Sequence, residues 1–151
     1  MKVYKIIASV LGIGYVGKGG GTIAALLYCI IWLLLPVAYS DSVWQWVIAF
    51  FIIAIGIVSG NKVDEIWGKD SSKVVIDEVA GMCVALLFVP QKIVYAFIAL
   101  VLFRFFDIVK PAGIKSLEKW PGGWGVMADD VLAGVYALIV IKLLLQVQYF
   151  L

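Results

Sequence analysis

The sequence has 151 residues, 64% of them hydrophobic and only 15% charged, with a net charge of +2 and a mean hydropathy of +1.08. Such values exclude an ordinary soluble domain, and at this length they predict a single membrane-embedded helical domain covering residues 1–151. So small a positive charge, with no basic residues interleaved on a polar helix, argues against nucleic acid, and no protein partner is predicted. The expected partner is the lipid bilayer, because helices satisfy their own backbone in hydrocarbon and open strands do not.

From the N-terminus, Met1 to Leu11 carries Lys2, Lys5 and a short apolar stretch without a cleavage site, and reads as a retained interfacial helix. Gly12, Gly14 and Gly17 match a GxGxxG pattern, but a membrane helix follows where a βαβ unit would be needed. Gly12 to Lys18 also resembles a phosphate loop, yet Gly19 replaces the hydroxyl residue that such a loop requires. Two uses remain: an entry turn, or bare N–H groups at the start of the next helix, with Lys18 and Thr22, receiving a phosphate.

Thr22 to Tyr39 and Val43 to Ser59 are uncharged runs near the roughly 17–25 residues a membrane helix needs, joined through Pro36, Ser40 and Asp41. They predict a first helical hairpin. After a polar stretch from Gly60 to Lys73, Val79 to Val89 and Ile93 to Phe106 flank Pro90, Gln91 and Lys92 and predict a second. Its arms of about 11 to 14 residues span roughly 16–21 Å against a hydrocarbon thickness of ~30 Å, so they are either tucked inside the bundle or re-entrant. Asp107 to Ala128 is polar and rich in glycine and proline, and a last helix is predicted from about Asp129 to Gln148. The expected fold is therefore all-α, a polytopic integral membrane bundle of two helical hairpins plus a C-terminal helix, with no internal repeat. Cys29 and Cys83 lie inside apolar runs without metal or redox spacing, as small core or lipid-facing residues. Trp32, Trp44, Trp46, Trp67, Trp120 and Trp124 lie mostly near predicted helix ends, as an interfacial belt would place them.

If each hairpin goes out and returns, the segments around Gly12–Gly21, Asn61–Glu78 and Arg104–Asp130 share one membrane face. That face carries every lysine and arginine except Lys92 and Lys142, which makes it cytoplasmic by the positive-inside rule. It also gathers Asp77, Glu78, Asp107, Asp129 and Asp130 beside apolar helix. Singly, Asp77 or Asp129 is explained by capping a helix N-terminus. Together, three acidic clusters on one face repel one another unless a cation compensates them. The chain has no histidine, so ligand and acid–base work falls to carboxylates, and oxygen ligands alone favour a hard cation such as Mg2+, which shares its coordination with phosphate. Arg104 and Lys110 stand three residues either side of Asp107, as phosphate-binding cations or as local ion pairs; Pro111 ends the helix beside Lys110.

Three stretches, taken in order, resemble the phosphatidylglycerophosphatase A family: Lys69-Asp70 followed by Val75-Ile76-Asp77-Glu78-Val79-Ala80-Gly81; Phe103-Arg104-Phe105-Phe106-Asp107-Ile108-Val109-Lys110-Pro111; and Gly122-Gly123-Trp124-Gly125-Val126-Met127-Ala128-Asp129-Asp130 with Ala133-Gly134. The resemblance implies a multi-pass bacterial inner-membrane enzyme of phospholipid biosynthesis, Mg2+-dependent, that converts the membrane phospholipid phosphatidylglycerophosphate to phosphatidylglycerol and phosphate at the cytoplasmic face. Asp77, Glu78, Asp107, Asp129 and Asp130 are then the candidate metal ligands. Asp77, Asp107, Asp129 and Asp130 are the catalytic candidates, one of them activating water or attacking phosphorus, and Lys110, Arg104, Lys18 and Thr22 bind phosphate. Two departures stand out. Gly17-Lys18-Gly19-Gly20-Gly21-Thr22 replaces a proline-containing stretch and keeps its final Gly-Thr, and Gly113 stands where a second proline often follows Lys110-Pro111. The rival reading is an ion-coupled transporter or channel subunit, which the gathering of acids on one face disfavours; a non-catalytic subunit would tolerate their replacement.

Overall fold

A computed structural model describes residues 1–69, 71–111 and 113–150, the last by its backbone alone; Asp70 of the Lys69-Asp70 motif lies outside the described residues. The described chain is all-helical and contains no strand. In order it forms α1 (Lys2–Ala8), α2 (Gly20–Leu34), α3 (Trp44–Trp67), α4 (Ile76–Ala85), α5 (Ile93–Val109), the single turn α6 (Ile114–Leu117) and α7 (Gly123–Phe150). Short 3-10 turns at Ile13–Val16 and Val37–Asp41 complete it.

The two expected hairpins are present as α2/α3 and α4/α5, but their ends differ from the expected ones. α2 stops at Leu34 because Leu35, ahead of Pro36, is extended, and Val37 to Asp41 coil into a 3-10 turn instead of a last helical turn. α3 does not end at Ser59. It runs on through Lys62 and Glu65, an i,i+3 ion pair at 3.6 Å, and stops only at Gly68, whose φ of 83° suits glycine. α7 starts six residues before Asp129, since Gly123 must come close to α3: a Cβ there would lie 2.5 Å from the Ile57 carbonyl oxygen. The glycines around 122–125 thus pack a helix start rather than form a loop.

α4, only ten residues long, packs against α2, α3, α5 and α7 and is the most enclosed element, as an arm too short to span should be. Met82 and Cys83 of α4, with Leu86 just after it, meet Tyr28 and Trp32 of α2, Phe103 of α5 and Ala133, Ala137 and Ile141 of α7 in one apolar core. Trp32 is buried there at 1% exposure, against its expected place in an interfacial belt, whereas Trp44, Trp46, Trp120 and Trp124 are exposed. Both cysteines are free and buried, and the Tyr28 hydroxyl donates to Cys83 Sγ at 3.0 Å.

α4 and α7 touch backbone to backbone. A Cβ on Gly134 would lie 3.0 Å from the Gly81 carbonyl carbon, and one on Gly81 would lie 2.7 Å from the Asp130 carbonyl oxygen. Asp77 precedes Gly81 by four residues and Asp130 precedes Gly134 by four, so each acid stands one helical turn from the shared crossing point.

α3 and α7 are long and apolar enough to cross a membrane, and only 28% of each apolar window is buried inside the protein. Phe50, Phe51, Ile55 and Val58 of α3 and Ile139, Leu143 and Leu144 of α7 face outward. The core helix of a water-soluble protein would be mostly covered; these are not.

Candidate active site

A cleft of about 310 Å3 opens where the N-terminal ends of α2, α4 and α7 meet the C-terminal end of α5. Its floor is acidic: Asp77 and Glu78 from α4, Asp107 from α5, Asp129 and Asp130 from α7. Arg104 and Lys110 flank it, and Gly17, Lys18, Gly19 and Gly21 form one rim with Ser71 and Ser72 beside them. All five carboxylates singled out in the sequence therefore share one site. Asp77, Asp129 and Asp130 are buried, and the side chains of Glu78 and Asp107 are about 15% and 14% exposed.

Neither Asp77 nor Asp129 is a helix cap. Val75 precedes α4 without any side-chain capping bond, and Asp129 lies well inside α7. The five acids divide by their partners. Asp107 Oδ2 lies 2.6 Å from Arg104 Nη1, and Asp129 Oδ2 accepts from Lys110 Nζ at 2.8 Å. Asp77, Glu78 and Asp130 instead place one carboxylate oxygen each within 4.8 Å of one another. Asp77 Oδ1, Glu78 Oε2 and Asp130 Oδ2 are buried and make no hydrogen bond among the described residues. Buried carboxylate oxygens without partners cost several kcal/mol unless something neutralises them, and a compact trio of hard oxygen donors suits a divalent cation of the Mg2+ class. The residues present thus fit the cation that the sequence suggests, with three of the five expected ligands forming the trio and Asp107 and Asp129 standing beside it.

Both flanking cations are engaged as ion pairs. Arg104 bridges Asp107 and, at 3.7 Å, Glu78. Lys110 is shared between Asp129 and Glu118, a partner that nothing in the sequence singled out. Partial burial disfavours the Lys110 ammonium, yet the hydrogen bonds and charges of Asp129 and Glu118 outweigh it and hold its pKa above the usual lysine range. Lys110 adopts the left-handed conformation at the C-cap of α5, just before Pro111, which turns the chain back toward α7. Lys18 lies on the rim and is exposed. Thr22 is not brought to the cleft: it is exposed on α2, outside the lining. The α2 N-terminus likewise offers no open phosphate cradle, because the Glu78 carboxylate already lies against Gly21. Across Asp129 a second chamber of about 280 Å3 adjoins the cleft, lined by Lys69, Glu118, Gly122 and Gly125.

A carboxylate trio and two paired cations in one cleft are the groups that a hydrolase of phosphate esters needs. The chain belongs to the phosphatidylglycerophosphatase A family, whose family model matches residues 6–145. It is a lipid phosphatase, and its outward apolar helices accord with membrane association.

Among similar proteins, a Bacteroides thetaiotaomicron protein named "Putative phosphatidylinositol-3-phosphatase" is 42% identical over 142 residues, covering 90% of this chain and 89% of that one. The Haemophilus influenzae phosphatidylglycerophosphatase A is 46% identical over 77 residues, 48% of this chain and 45% of the other. The Escherichia coli phosphatidylglycerophosphatase A is 29% identical over 111 residues, 67% and 63% of the two chains. No solved structure gives a significant match.

Proposed function

We propose that the chain is a polytopic membrane enzyme that removes the terminal phosphate of phosphatidylglycerophosphate, in phospholipid biosynthesis, with Mg2+ held by Asp77, Glu78 and Asp130 at the cytoplasmic side of a bacterial inner membrane. The observation that carries this reading is the trio Asp77, Glu78 and Asp130, which place one carboxylate oxygen each within 4.8 Å of one another and each keep a buried oxygen without a hydrogen bond, flanked by Arg104 and Lys110. When bound, Mg2+ would polarise the phosphoryl oxygens and offset their charge.

The chain's own residues do the rest. A phosphate monoester entering the cleft competes with Glu118 and Asp129 for the Lys110 ammonium and draws it onto its oxygens. Arg104 stays with Asp107 and Glu78 and keeps the substrate side of the trio positive. Asp77, Glu78 and Asp130 are committed to the cation and Asp107 to Arg104, so Asp129, released by Lys110, is the carboxylate free to act. It accepts a proton from the attacking water as the water oxygen bonds to phosphorus. The bond from phosphorus to the glycerol oxygen then breaks, and that oxygen takes a proton from solvent at the cleft mouth. With all five cleft carboxylates at one end of the bundle and, among the described residues, Asp41 alone at the other, there is no path of carboxylates across it, which weakens the support for a transporter.

The Bacteroides relative favours a second substrate, a 3-phosphorylated inositol lipid, on the same site and chemistry. The deciding experiment is phosphate release by the purified protein in detergent from both lipids, with Mg2+ and with chelator, alongside Asp129→Asn. Metal-dependent release from phosphatidylglycerophosphate, lost in the variant, is expected. Release from the inositol lipid alone would transfer the assignment to that substrate, and no release from either by folded protein would overturn it.

A further inference from the structure

Glu78 reaches its place in the trio by lying against the first turn of α2. A Cβ placed on Gly21 would overlap the Glu78 carboxylate, with Cδ at 2.6 Å and Cγ at 3.2 Å. The same oxygen that lies nearest Gly21, Glu78 Oε1, faces Arg104 Nη1 at 3.7 Å. That one oxygen thus stands beside both a guanidinium and the first turn of a helix, whose N-terminal end favours negative charge.

Neither the turn nor the helix calls for glycine at position 21. Gly17 and Gly19 have φ of 82° and 103°, conformations that suit glycine, whereas Gly21 lies within α2 outside the left-handed region. Alanine is the better helix former there. At Gly20, one residue earlier, an added Cβ would meet the Ile13 carbonyl oxygen at 3.2 Å and Val75 Cγ1 at 3.7 Å, and no atom of Glu78 is among its nearest neighbours. What a methyl at position 21 would meet is the end of one side chain, so it would displace the Glu78 carboxylate and leave the backbone in place.

We propose that Gly21 is a positioning residue for Glu78: its missing side chain is the seat that fixes where this carboxylate stands relative to Asp77 and Asp130, and so sets the affinity of the trio for a divalent cation. The proposal rests on reading Asp77, Glu78 and Asp130 as the cation-holding group.

The test is Mn2+ binding, followed by electron paramagnetic resonance on the full chain in detergent, together with melting temperatures. Gly21→Ala is expected to weaken Mn2+ binding by about 10–100-fold, the usual effect of disturbing a ligand's support. Gly20→Ala is expected to bind as the parent does. Adding Glu78→Asp to Gly21→Ala, which shortens the side chain away from the new methyl, is expected to recover about tenfold of that loss, although Glu78→Asp alone weakens binding. If Gly21→Ala fails to fold, Gly21→Ala/Glu78→Ala is expected to fold, because the overlap is gone. Parent-like Mn2+ binding by Gly21→Ala, additive losses in the double variant, or a Gly21→Ala/Glu78→Ala chain that still does not fold would each overturn the proposal. A parent that binds no Mn2+ would instead overturn the cation reading on which it stands.

Discussion

Replacing Asp130 with asparagine removes one charge from the trio and gives back an amide that can donate to its neighbours. At an effective dielectric constant of about 20, two unit charges about 4.8 Å apart repel by about 3.5 kcal/mol. Asp130 faces two such neighbours, Asp77 and Glu78, within that distance. Structural relaxation and water penetration leave about 1–3 kcal/mol of this, roughly 3–10 °C in melting temperature for a chain of this size. Asp130→Asn is therefore expected to melt higher than the parent in chelator, to gain nothing from added Mg2+, and to release no phosphate. The assay is thermal unfolding in detergent, with chelator and with excess Mg2+, beside phosphate release on the same preparations. A variant that melts lower than the parent in chelator would refute the idea that the trio stores repulsion, and retained Mg2+ stabilisation would refute its role as the cation's seat.

The other expectations can be measured on the same material. Lys110→Met is expected to reduce kcat/KM by about 10²–10³ with Mg2+ binding retained, because Lys110 faces Asp129 and not the trio; a fall in cation affinity of the same size would contradict that separation. Gly134→Ala is expected to lose about 1–3 kcal/mol of stability and to weaken Mg2+ binding, since its methyl would push α7 off the Gly81 backbone; unchanged binding would show that the crossing does not set the trio. Cysteines placed at Lys69 and Lys115, read against the two buried native thiols, are expected to react with a membrane-impermeant thiol reagent from the cytoplasmic side only.

Composition alone predicts the all-helical fold, and the enclosed α4 is readable because it is too short to span; its partner α5 runs to 17 residues, longer than expected, and keeps an outward apolar face. Helix ends were less legible, for a common reason. Glycine and charged residues were taken as breaks, whereas in the fold Gly123 starts a helix because only a bare Cα fits against Ile57, and Lys62 and Glu65 extend α3 beyond the apolar region as an ion pair. Trp32 looked interfacial by position, but it fills the space between α2 and its neighbours. The five acids were legible as a cluster, because the hairpin parity that predicts a shared face is independent of exact helix ends. How they divide was not legible, since it depends on Glu118 reaching Lys110 and on Glu78 taking the α2 N-terminus where a phosphate was expected. Thr22 reads as a phosphate ligand from its place at the helix start and from the retained Gly-Thr, but helical rotation turns it outward.

One signal in the sequence does explain the division. Asp77-Glu78-Val79-Ala80-Gly81 and Asp130-Val131-Leu132-Ala133-Gly134 are the same pattern, Asp-x-x-Ala-Gly, on the two helices that pack most closely. In each, alanine and glycine remove bulk where the backbones cross, and the aspartate one turn earlier is carried into the gap at a spacing that the crossing fixes. A backbone contact is a stiffer ruler than a pair of long side chains, so Asp77 and Asp130 are held together whether or not a cation is present. Asp107 and Asp129 lack such a glycine four residues on; Asp107 is held by Arg104, and Asp129 by Lys110, the cation that substrate can attract. The fold therefore separates a preformed trio, whose repulsion a divalent cation relieves, from one fixed ion pair, Arg104–Asp107, and one exchangeable pair, Lys110–Asp129, that can open toward phosphate. That separation lets one small cleft keep its metal while it turns over its substrate.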